Sequence, residues 1–289
     1  MLDHAIPPSA DPPAAEGTHG LPGFGQLAGI GALLLCAAWP LQAQEPADST
    51  RLSELWLERA LPDQPAYSYY LREQHIAPQR RQGVRLQEEL TTLIDHLTLA
   101  GHRHAARGLG NWREQIGNQI KAGSRTPARA DLTALLAAPR QDPPLSALAE
   151  AGECSLTDWI ELWSFGGVTR QPWTVGMSLN GLLREQPRDH WQAADTAWII
   201  SPQNAPRQVG TGAWNANDSA LVPGTRVVLA LPEQVQEADW VNRALPDFLS
   251  TRLPGDDCRR IPLPADTRNA SEQDQPLPGH GLGQAGTAS

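Results

Sequence analysis

Lysine is almost missing from this chain: of 23 basic residues, only Lys121 is a lysine. Against 32 acidic residues they leave a formal net charge of -9, so the chain lacks the basic footprint of a nucleic-acid binder. The arginine bias has two readings, the composition of the genome or guanidinium recognition of anionic ligands. There is no apolar run of the ~20 residues a spanning helix needs. The catalytic signatures G-x-S-x-G, H-E-x-x-H and C-x-x-C are absent, and the Gly-x-Gly pieces GLG and GTG lack a strand-then-helix phosphate context. A glycosidase needs two carboxylates fixed ~5–10 Å apart across a bond. Glu88-Glu89 on a helix point to two sides, and Asp256-Asp257 follow Pro254-Gly255 in a segment that reads as flexible, so both pairs read as solvated.

What is present begins with Leu27 to Pro40, LAGIGALLLCAAWP. This stretch fits a signal-peptide core, with cleavage after Ala43 in LQA-QEP, although no Lys or Arg precedes it. A buried helix is the alternative. Cleavage would remove Cys36 and leave Cys154 and Cys258, which allow one disulfide in an exported protein or two free thiols.

Downstream, Leu52, Leu55 and Trp56 recur at helical spacing within Arg51 to Arg59. Tyr67, Tyr69 and Tyr70 follow, and they read as anchors of a core edge or as sugar-stacking rings. Val84 to Ile120 carries two apolar stripes separated by Gly101, the pattern of an antiparallel helical hairpin. His96, His102 and His104 fall there. Positions two apart on a helix do not face each other, so these read as surface histidines and no metal is expected.

Trp159 to Phe165 suits a strand, with Gly166-Gly167 as a bulge or a close approach. Trp173 to Val175 is expected as a second strand across an Arg170 to Pro172 turn. Ser178 caps a helix over Leu179 to Glu185. Trp198 to Ile200, Gln208 to Trp214 and Arg226 to Leu231 supply further short strands separated by turn clusters. Strand, strand, helix, strand, strand is a small α+β unit resembling a β-grasp. Glu237 to Arg252 is an amphipathic helix that Pro246 should kink. It would dock on its own domain, on a partner or on a membrane; Glu237, Asp239 and Asp247 disfavour the membrane. Residues 255–289 read as a disordered tail, polar from Asp266 on.

Taken together, RLSEL, the tyrosine segment, the hairpin, TPAR, FGGV, GMSLNGLL, AWIISPQN, GAWN, LVPGTRVVLAL and a terminal helix ending in RLP occur in an order that resembles the GfcC-like capsule and exopolysaccharide biosynthesis proteins. The resemblance spans about Arg51 to Pro254, and the GAWN-to-VPG spacing is its most specific part. It implies a periplasmic, non-catalytic protein of class α+β. Two small β-grasp-like domains are expected, the first with an inserted helical hairpin, followed by a C-terminal amphipathic helix. The expected boundaries are 1–43 for the leader, 44–152 for the first domain with its hairpin at 84–120, 153–235 for the second, 236–254 for the helix and 255–289 for the tail. The strand pair expected at the start of the first domain is hard to find, since only Gln44 to Thr50 precedes RLSEL.

No cofactor is expected. The expected ligand is a polysaccharide or a protein of the export channel. A glycan-modifying enzyme and a purely protein-binding scaffold are the alternatives. Ten tryptophans are many for this length. Trp159, Trp163 and Trp198 sit in strand patterns and read as core. Trp214 and Asn215, at a strand end, are the candidate glycan contacts. Arg129, in TPAR, is a candidate for forked hydrogen bonds to an anionic glycan, or else a salt-bridged surface arginine.

Overall fold

The computed structural model describes residues 50–59, 66–203, 205–212, 215–232 and 238–263. The expected leader, Cys36, Trp214 and everything from residue 264 onward lie outside these. The described residues belong to one compact unit. It is α+β, with a three-stranded and a five-stranded sheet.

Helix α1 (Leu52–Glu58) precedes strand β1 (Ala66–Arg72), in which Tyr67, Tyr69 and Tyr70 are all buried. The tyrosines are therefore core residues, not a displayed sugar platform. Helices α2 (Glu73–Leu99) and α3 (Arg103–Lys121) form the expected hairpin, and Gly101 turns the chain with a φ of 83°. α2 starts well before Val84 and carries Pro78 in its second turn. A short helix α4 (Leu132–Ala137) leads to β2 (Leu148–Ser155).

Strands β3 (Trp159–Ser164) and β4 (Gly167–Pro172) form a tight hairpin. This corrects two expectations. Gly166-Gly167 makes the turn rather than a bulge, with Gly167 at a φ of 118°, while the expected close approach is met at Gly166 against the His190 ring; and the second strand is 167–172 rather than Trp173 to Val175. Helix α5 (Leu179–Arg184) is capped by Ser178, whose Oγ accepts from the Gly181 amide. Strands β5 (Thr196–Ile200), β6 (Arg207–Gly210) and β7 (Arg226–Leu229) complete the larger sheet in the order β4-β3-β7-β5-β6. β3 and β7 pair in parallel at its centre, and the other neighbours are antiparallel.

Helix α6 (Ala238–Ser250) runs through Pro246 without interruption. Val241, Leu245, Phe248 and Leu249 are buried in the core beneath the five-stranded sheet and beside α2, so its apolar face is covered by its own chain. Among the described residues no helix is long and apolar enough to cross a membrane. Residues after 255 are not all tail: β8 (Cys258–Ile261) pairs antiparallel with β2, which also pairs with β1. Cys154 and Cys258 are disulfide-bonded across that pairing.

Two cores follow. One, under the three-stranded sheet, gathers Leu52, Trp56, Tyr70, Leu135, Leu148 and Ile261. The other joins the five-stranded sheet to α5, α6 and both stripes of the hairpin, including Leu86, Leu90, Leu93, Leu109, Trp112 and Ile116. The hairpin was expected to belong to the first domain. By packing it belongs to the second sheet, because its apolar face finds no partner large enough among the three short strands.

Candidate functional site

Among the described residues, Arg129, Asn215 and the two cysteines each have partners of their own. The Arg129 guanidinium forks onto Asp131, with Nε and Nη2 donating to the two carboxylate oxygens at 2.8 and 3.0 Å. Asp131 in turn caps α4 by accepting from the Ala134 amide. Burial alone would raise the Asp131 carboxyl, but the Arg129 hydrogen bonds, the Ala134 amide and the guanidinium charge outweigh it and hold the carboxyl below its ordinary range. Asn215 turns inward, its Nδ2 donating to the Asp195 carbonyl at 3.1 Å, which ties a loop to the start of β5. Trp214 lies outside the described residues. Cys154 and Cys258 serve the smaller sheet.

Buried charge elsewhere is committed to structure. Glu161, 3% exposed, accepts from Trp163 Nε1 and Arg170 Nε, each at 2.9 Å, and lies 3.3 Å from Arg226 Nε. Asp256 and Asp257 are not a loose pair. Asp256 accepts from Trp159 Nε1 and Arg170 Nη1, and Asp257 from Ser155 Oγ.

One place where polar donors gather beside open space lies between the hairpin and the second sheet. A cavity of about 400 Å³ is lined by apolar groups including Leu93, Leu97, Leu109 and Phe165, with His104 and Asp189 on its wall. α3 is fixed there at three residues over two successive turns. Gly108 lies so close to the Phe165 carbonyl oxygen that a Cβ has no room, Asn111 Oδ1 accepts from the Val168 amide, and Trp112 Nε1 donates to the Ser164 carbonyl. His104 stands one turn before Gly108 and on the same face. The fold therefore sets it over the β3–β4 turn.

From the other side, a single 3-10 turn, Arg188–His190, brings Asp189 and His190 to the same spot. The His190 carbonyl accepts from the Phe165 amide at 3.1 Å, and its imidazole lies over Gly166, where a side chain would collide with the ring. The His104 and His190 rings stack with centroids 5.4 Å apart and planes 26° from parallel. The ligand-capable atoms of His104, Asp189 and His190 all lie within 4.8 Å of one another. These are the residues that could hold a metal. Sequence reasoning tested His104 only against its helical neighbours. No motif spacing links it to a dipeptide in a distant turn, so only the folded chain shows the group.

A second, more polar cavity of about 230 Å³ shares the wall residues Ala193, Leu231 and Pro232. Trp198 lines it together with Gln208, Asp239, Asn242 and Arg243. An aromatic ring among amide, carboxylate and guanidinium groups is a surface suited to a hydroxylated ligand. No protein-family model matches the chain, and a search of curated proteins found no match.

Proposed function

We propose that the protein is an exported, non-catalytic accessory factor of capsule or exopolysaccharide assembly, which binds the glycan or a component of the export machinery. The observation that carries the reading is the element order of the second sheet. Two hairpin strands, a helix, a second antiparallel pair and a last strand inserted in parallel beside the first are the order a β-grasp would have, and this supports the reading. That arrangement and the packed helical hairpin are what the GfcC-like resemblance implies. The disulfide fits an oxidising compartment such as the periplasm. The cavity of Trp198, Gln208 and Arg243 is the glycan surface in this reading.

The test is incubation of the purified protein with the polysaccharide of its own host. Binding without turnover, weakened by Trp198→Ala and by the exposed Arg243→Ala, supports the proposal. Arg129→Ala should be silent, because its fork is engaged by Asp131. Chain shortening or new reducing ends would replace the proposal with a glycan-modifying enzyme. Absence of glycan binding alongside capture of an export-channel protein would leave only the protein-binding half of it.

A further inference from the structure

We propose that His104, Asp189 and His190 form a binding site for one divalent transition-metal ion of the zinc class. The donor set is two imidazole nitrogens and one carboxylate oxygen. Three such ligands match the zinc sites that leave a fourth position open. Magnesium and calcium prefer all-oxygen surroundings, which this group does not offer. Ions that select thiolates find none among the described residues, since Cys154 and Cys258 are bonded to each other.

The two imidazoles are carried by anchored parts of the chain. His104 belongs to the first turn of a 19-residue helix fastened at Gly108, Asn111 and Trp112. His190 is fastened through its backbone to Phe165, and Gly166 leaves room for its ring. In a tetrahedral zinc site with bonds near 2.1 Å the ligand atoms stand about 3.4 Å apart. Closing from 4.8 Å requires only side-chain rotation, and His104 and Asp189 are both exposed enough to make it. One carboxylate leaves a bound divalent ion with net positive charge, and Arg103 lies on the same cavity wall. An anionic oxygen or a water is therefore the favoured fourth ligand.

The full chain, carrying no affinity tag, is titrated with Zn²⁺ against a chromophoric chelator. One ion per chain should be retained in the competition. His104→Ala, His190→Ala and Asp189→Asn should each weaken binding by about tenfold or more. Gly166→Ala should weaken it as well, although it removes no ligand, because the new methyl group displaces the His190 ring. His75→Ala is the control, since that imidazole contacts Thr126 instead. Near-UV circular dichroism checks the fold of each variant. Co²⁺ bound to the unaltered chain should give the intense visible bands of tetrahedral coordination, a readout that needs no variant. Failure to retain zinc, a weak octahedral cobalt spectrum, or equal losses in His75→Ala and His104→Ala would overturn the proposal.

Discussion

At the scale of single residues, the near-exclusive use of arginine has a structural consequence. Arg125 and Arg252 are 5% and 3% exposed, and each serves more than one acceptor. Arg125 Nε donates to the carbonyls of Ser250 and Arg252, at and just beyond the C-terminal end of α6. Arg252 donates to the Gln119 carbonyl in the last turn of α3, to Gln79 Oε1 and to Thr251 Oγ1, with its guanidinium over the Phe248 ring. Orphan carbonyls at two helix ends are thus satisfied by forks that a lysine cannot copy. Burial, then the nearby Arg226 charge, push Arg252 down to about 10, so it stays charged at neutral pH. Arg252→Lys keeps the charge and still should cost about 2–3 kcal/mol, because a point donor leaves buried acceptors unmatched. Urea unfolding measures it, and an unchanged midpoint would refute it. Arg129 and Asp131 make a smaller, pH-dependent case. The depressed Asp131 carboxyl adds stability that is full above the ordinary carboxylate range and is lost as pH falls through its lower folded value. Arg129 is half exposed, so the pair contributes less than about 1 kcal/mol. Asp131→Asn keeps a cap acceptor and loses the pairing. The gap in melting temperature between it and the unaltered chain should therefore hold at neutral pH and narrow as pH falls below the ordinary carboxylate range.

At the scale of elements, legibility followed length and periodicity. The hairpin stripes, the Ser178 cap and the strands at Trp159, Trp198 and Arg226 are written in local pattern, and the structure has them. β8 is not. Its four residues, CRRI, carry no alternation, and the partner strand lies about a hundred residues upstream. Gly166-Gly167 reads as a bulge or a close approach because two glycines suit either, and only the pairing partners show that the pair makes a turn as well as a close approach. What orders β8 can be weighed. Its ion pairs, Arg260 with Glu150 and Arg259 with Glu153, involve arginines more than 70% exposed and contribute little. Ile261 and Leu263 are buried, for about 1.5–3 kcal/mol each. The disulfide closes a loop of 104 residues, for which chain entropy allows up to about 4–5 kcal/mol. Cys258→Ser should therefore lower stability by about 2–5 kcal/mol and expose the amides of residues 259–261 to hydrogen exchange. Unchanged melting on reduction, with those amides still protected, would show that burial alone holds the strand.

At the scale of the whole molecule, the expected division into two domains misplaced the hairpin, because amphipathic stripes announce a buried face without naming what buries it. The join is decided by close approach. Gly108 admits α3 against the β3–β4 turn, and a Cβ at that position would fall on the Phe165 carbonyl, a backbone group that cannot rotate aside. Gly110, two residues on, has nothing within 4 Å of where its Cβ would sit. The two positions make a matched pair. Both substitutions to alanine gain helix propensity of about 0.8–1 kcal/mol. At Gly110 that gain should appear whole, as a rise in the unfolding midpoint. At Gly108 overpacking, typically about 1–3 kcal/mol, should outweigh it and lower the midpoint. The Gly108→Ala change would also push α3 off the turn. It should then weaken Zn²⁺ retention at His104, whereas Gly110→Ala leaves retention intact. Equal and positive stability changes at both sites would mean that the hairpin does not sit on the second sheet as described, and the placement of His104 against His190 would fall with it.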